Sequence, residues 1–139
     1  MGTTGLAFEV QLPESYDKAV DRVTAALKVE GFGILTRIDV HTTLKEKIGV
    51  EFRPYTILGA CNPPLAHRAL SHRAEAGLLL PCNVTVEAGP GGQGSIVRIG
   101  NPDVMLATGG LDAEPPLRAV AAEARERLAR VAGALRQPS

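Results

Sequence analysis

Cysteine is scarce in this sequence, with only Cys61 and Cys82 among 139 residues. Two are too few for the disulfide framework that staples small secreted domains, and the start "MGTTGLAFEV" lacks the basic segment and apolar core of a secretory leader. The chain is therefore expected to be cytoplasmic, with both thiols reduced. Excess charge is missing too: 15 Lys+Arg stand against 15 Asp+Glu, without a run of one sign. This removes the electrostatic footprint of a nucleic-acid or anionic-membrane partner, and neither is expected. The longest apolar candidate, "AGLLLPC", is broken by Pro81 and falls far short of the roughly 20 residues that span a bilayer. Absent as well are a Gly-x-Ser-x-Gly elbow, a kinase signature set and either glycine-rich phosphate motif, so nothing supports a hydrolase or a kinase.

What is present reads as one domain, residues 1–139, long enough to bury its own core. "LAFEVQL" alternates Leu6, Phe8, Val10 and Leu12 with Ala7, Glu9 and Gln11, the period of a half-buried strand. Tyr16, Val20, Val23 and Leu27 then share a helical face, and Gly31 is placed to end that helix. "GILTRIDV" predicts a second strand with Ile34, Ile38 and Val40 on one side, and "HTTLKEKIG" a short capped helix stopped by Gly49. "PYTILGAC" predicts a third strand, after which Asn62 caps a helix whose first-turn Pro63 has the φ that a helix start accepts.

"LLLPCNVTVE" predicts a fourth strand with Leu78, Leu80, Cys82, Val84 and Val86 on one face. Since Pro81 cannot donate to a ladder, this strand is expected at a sheet edge or with a bulge. "AGPGGQG" and "SIVRI" read as a hairpin tip and its returning strand, and "NPDVML" as a short helix capped by Asn101. Pro115 to Leu135 closes the chain with Leu117, Ala121, Ala124, Leu128, Val131 and Leu135 along one seam. Glu123–Arg127 and Glu126–Arg130 are spaced to pair on the exposed side. Alternating strands point to an α+β fold: a four- or five-stranded, mainly antiparallel sheet packed against the N- and C-terminal helices.

Two cysteines and a few neighbours carry the candidate chemistry. Cys61 directly precedes a helix start, where its sulfur is expected near unpaired N–H donors that favour the anion, which makes it the candidate thiol nucleophile. The competing reading is that a free cysteine is a small core residue. Cys82 is the candidate second thiol, 21 positions away, with Pro81 beside it as the sign of special geometry. Asn62, Pro63, His67 and Pro81 are the candidate binding residues around them. His67 and His72, about 140° apart on a helix, do not make a zinc pair, and a mixed site of His41, His67, Cys61 and Cys82 has no standard spacing. No metal is assigned and no cofactor is named. Scattered acids such as Glu9, Asp39 and Glu51 offer no enclosed carboxylate pair.

"VHTTLKEKIGVEFRPYTILGACNPPLAHRAL", followed by "GLLLPCNVTVE" and "NPDVML", resembles the bacterial domain of unknown function 302 family. Its most specific pieces are Leu-Gly-x-Cys-Asn-Pro at 58–63 and Leu-Pro-Cys at 80–82. A bulky aromatic often stands in that family where this chain has Ala60, so the packing beside Cys61 is its own. The resemblance implies a small α+β protein and a homodimer, and brings no activity with it. The open edge expected at Pro81 and the 117–135 seam point to a homodimer too. A thiol-based module or one that binds a small molecule, metal or haem-like ligand at the two cysteines, an enzyme using Cys61 with His41 or His67, and a structural or partner-binding dimer with core cysteines all remain open.

Overall fold

A computed structural model describes residues 5–138; the first four residues, part of the N-terminal reading above, and Ser139 lie outside it. Strand β1 spans Ala7–Leu12, α1 Tyr16–Val29, β2 Gly33–Asp39, α2 Val40–Ile48, β3 Tyr55–Cys61, α3 Pro63–His72, β4 Cys82–Ala88, β5 Ser95–Gly100, α4 Pro102–Thr108 and α5 Pro115–Arg136. The strands form one sheet in the order β1-β5-β4-β3-β2, every pair antiparallel. The fold is α+β, as the alternation predicts, with five strands.

Register explains the layering. Leu58 lies opposite Val84, Val84 opposite Ile99 and Ile99 opposite Phe8, while Val86, Val97 and Val10 form the next row. Those rows share one sheet face, and α1 and α5 cover it: Ala19, Val20, Val23 and Leu27 from one helix meet Ala124, Leu128, Val131 and Leu135 from the other in a single buried cluster. Each such Val or Leu side chain contributes about 1.5–3 kcal/mol when taken out of water. The 117–135 seam is therefore consumed inside the monomer, which removes it as an argument for a dimer.

At its C-terminus α1 ends in a Schellman turn. Phe32 N–H donates to Leu27 O at 2.9 Å, and Gly31, at φ +86°, takes the left-handed position between them. On the opposite sheet face Glu87 is buried between arginines. Arg53 donates to it at 2.6 Å, Arg98 donates to it as well, and Arg98 reaches Glu9 at 2.9 Å. Burial works against the Glu87 carboxylate, but the two guanidinium groups outweigh it and hold the group below its usual value of 4.5.

Four local expectations are corrected. A bulge between Ile34 and Thr36 puts Ile34 opposite Ala60 but Ile38 opposite Ile57, on the other face, and Val40 already begins α2. Leu78 and Leu80 are not strand residues, because Ala74–Leu79 is a 3-10 helix and β4 starts only at Cys82. That strand is also no edge: it is the central one, with β3 and β5 on either side, and Pro81 stands just before the ladder where no donor is required. Of the two charge pairs expected on α5, Glu123–Arg127 forms at 3.4 Å, whereas Arg130 turns to Glu30 at 3.0 Å.

Gly59 is the tightest point of the sheet. A Cβ there would lie 2.2 Å from Thr36 Oγ1 and 2.8 Å from Pro81 Cγ, so β2 and Pro81 close over a position only glycine can occupy. Gly59→Ala is expected to lose about 1–3 kcal/mol by overpacking, read as a lower urea midpoint. An unchanged midpoint would contradict the close approach.

Candidate functional site

Beyond the main core lies a second, smaller cluster: Ala69 from α3, Ala76 from the 3-10 helix, Leu106 from α4, and Leu117 and Ala121 from α5. Three of these five are alanine, and short side chains between four converging elements leave space unfilled. The result is a cavity of about 410 Å³, within the range of small-molecule sites. It lies at the end of the sheet where β3 runs out and β4 begins. Ala60, Cys61, Pro81, Cys82 and Asn83 form the strand side, Leu65 and Ala66 one helical wall, and Met105 and Val120 another. Leu78 also lines it while 85% exposed, and so marks its open rim.

Asn62 fixes this corner. Its side-chain oxygen accepts from Leu65 N–H at 3.3 Å, capping α3 as the sequence predicts, and its amide nitrogen donates to Glu30 O at 3.4 Å. Arg127 of α5 donates to the same carbonyl at 3.3 Å. One buried amide thus ties the start of α3 to the end of α1. Gly31 makes room for it, since a Cβ there would lie 2.9 Å from Asn62 Nδ2.

The donors expected around Cys61 are not there. Pro63 and Pro64 carry no N–H, Leu65 N–H is taken by Asn62, and Ala66 N–H donates to Asn62 O at 2.9 Å. Helix α3 therefore offers no anion-stabilising amide to the sulfur. Cys61 is partly exposed and lines the cavity. Cys82 is also partly exposed and lines it, but packs against the main core as well. The register brings the pair together, because Cys82 lies opposite Ala60, the neighbour of Cys61. Burial, with the nearby Cys61 sulfur adding to it, pushes the Cys82 thiol up from 9.0 to about 11.

Of the other candidate residues, Asn62 and Pro81 line the cavity; the Leu80–Pro81 peptide is cis. Pro63 is exposed on the first turn of α3, and His67 is exposed beside a separate depression with Arg68, Ser71 and His72. His41 is elsewhere: Tyr55 N–H donates to its Nδ1 at 3.1 Å, and its ring meets Tyr16 edge-on. Neither histidine reaches the thiols, so an acid–base partner for Cys61 is missing from the cavity wall. Among the described residues no group of three or more His, Cys, Asp or Glu side chains is placed to hold a metal. Sequence reasoning missed Met105, Val120 and Ala121, which enter the wall from elements distant in the chain, and Asn83, the neighbour of Cys82. The run of alanines in α5 was the available signal for unfilled space.

The description "domain of unknown function DUF302" matches residues 8–135 of the chain. The crystal structure of an uncharacterized conserved protein DUF302 from Bacillus stearothermophilus is similar, with 30% identity and a TM-score of 0.82 over 94% of this chain and 98% of that one. No curated protein matches. No helix among the described residues is long and apolar enough to cross a membrane.

With the Cys82 thiol raised, the neutral form is favoured by folding. Its contribution to stability is complete below 9.0 and disappears as the pH rises toward about 11. At about pH 8, iodoacetamide is expected to modify Cys61 in the folded protein and Cys82 only after unfolding. Peptide mapping that finds the two alkylated at equal rates in the folded state would contradict the difference in their surroundings.

Proposed function

The chain belongs to the DUF302 family, a domain of unknown function, and we propose that it is a binding module for a neutral, predominantly apolar small molecule held in the cavity beside Cys61 and Cys82. One observation carries this reading. The wall contains no Lys, Arg, His, Asp or Glu; its polar side chains are the two thiols and the amides of Asn62 and Asn83. Burying an unpaired charge against such a wall is prohibitive, whereas an apolar ligand gains from every contact. The remaining call on the wall is for one or two weak hydrogen bonds. A thiol-based enzyme is the less favoured reading, because neither His41 nor His67 reaches the cavity.

N-phenyl-1-naphthylamine, a neutral fluorophore, is expected to brighten on binding and to be displaced by dodecanol. Dodecanoate should compete at least about tenfold more weakly, a difference of ~1.4 kcal/mol. Ala121→Phe, which fills the cavity, and Leu78→Asp at the exposed rim should both weaken binding, with melting curves confirming that each variant folds. Equal competition by the alcohol and the carboxylate, or binding untouched in both variants, would overturn the proposal.

A second copy of the chain is the partner we propose for the outer edge of β2. Strand β2 ends the sheet, and its outer main-chain groups are self-complementary to an antiparallel copy. Helix α2 beside it has no buried residue, and Leu35, Ile38, Ile48, Val50 and Phe52 are exposed along this stretch. Light scattering at micromolar concentration should give twice the 14.6 kDa of one chain, and Leu35→Lys with Ile38→Lys should halve it. A wild-type particle of one chain mass would refute the homodimer.

A further inference from the structure

We propose that the depression between α3 and the first turns of α5 binds the phosphate group of a small soluble phosphate monoester. This site is separate from the apolar cavity, and neither reading depends on the other. Its walls are His67, Arg68, Ser71 and His72 from α3, with Pro116, Ala119 and Val120 from α5, around a volume of about 320 Å³.

Helical spacing gives the first reason. At about 3.6 residues per turn, His67, Ser71, Arg68 and His72 follow one another within about 140° around α3. The two buried residues of that helix, Leu65 and Ala69, take the opposite side. Packing thus fixes which face α3 turns outward, and that face carries four hydrogen-bond donors.

Hydrogen bonding gives the second. His67, Ser71 and His72 are exposed and, among the described residues, have no partner in the protein. Each can donate, through a ring N–H or the hydroxyl. Arg68 gives Glu123 one N–H, from Nη1 at 2.8 Å, and keeps the rest of its fork for a ligand. Glu123 is shared with Arg127 at 3.4 Å, and no acidic side chain lines the depression.

Charge and shape select the ligand. A phosphate monoester brings negative charge and three strong acceptor oxygens, which suits several donors converging from two turns of one helix. The volume takes more than the phosphate alone. Across from the donors, Pro116, Ala119 and Val120 offer the esterified group an apolar surface.

The test titrates the isotopically labelled full chain with phenyl phosphate at near-neutral pH, read by backbone amide NMR. Saturable shifts are expected from Ala66 to His72 and at Ala119 and Val120, half complete at or below about 1 mM. Inorganic phosphate should bind at least about threefold more weakly, and benzyl alcohol should leave these signals in place. His67→Ala with His72→Ala, and separately Arg68→Gln, should each weaken binding at least about tenfold, with melting curves confirming that the variants fold. No saturable shift, binding untouched in both variants, or equal binding of phenyl phosphate and benzyl alcohol would overturn the proposal. Vesicles of phosphatidylcholine with phosphatidic acid should not sediment the chain; sedimentation with them and no response to phenyl phosphate would make the source a lipid headgroup and overturn the soluble-ester assignment.

Discussion

The corner at Asn62 is where the rest of the site is set. Both ends of one buried amide are bonded to backbone, Leu65 N–H on one side and Glu30 O on the other, so the exit of β3, the start of α3 and the end of α1 are fixed together. Removing one such partner leaves the others unsatisfied in a place water does not reach, which makes this a stiff joint. Arg127, bonded to the same carbonyl, brings α5 into it. Once those three helices are held, the direction in which α3 leaves the sheet is determined, and so is the gap between α3, α4 and α5. The alanines facing that gap cannot close it.

The tightest points of the fold serve this arrangement. Gly59 lets Pro81 lie against β3, and Gly31 admits the Asn62 side chain. Much of the Leu-Gly-x-Cys-Asn-Pro and Leu-Pro-Cys pattern thus has a packing explanation: glycine for clearance, asparagine for the cap, proline for a helix start without an orphan donor. Cys61 is the member these constraints leave unexplained. It neither joins the main core nor receives an N–H from α3, and it lines the cavity together with Cys82.

Alternation made the α+β architecture legible, because a sheet covered on one face writes a period of two into β1 and β4, and α1 and α5 write theirs as apolar seams. The caps at Asn62 and Asn101 were legible for a similar reason: local hydrogen bonding decides them. Where the sequence misled, the cause was non-local. Pro81 suggested an edge because the number of residues between it and the first ladder pair cannot be read from composition, and β4 proved central. A bulge at Leu35 put Ile34 and Ile38 on opposite faces despite their spacing. Proximity of the two cysteines was open in the sequence, since it depended on β3 and β4 being neighbours. The cavity itself was hidden because its far wall, Met105 to Ala124, comes from helices that approach only in three dimensions.

An apolar cavity with a neutral wall is the account's central claim, and methyl-resolved NMR addresses it most directly. Titrating the isotopically labelled protein with dodecanol should move the methyl signals of Leu65, Met105, Leu106 and Leu117, which line the cavity, while those of Val10 and Leu12 at the far side of the sheet stay in place. Shifts confined to the exposed Val29 and Ile48, with the cavity methyls unmoved at saturation, would contradict it.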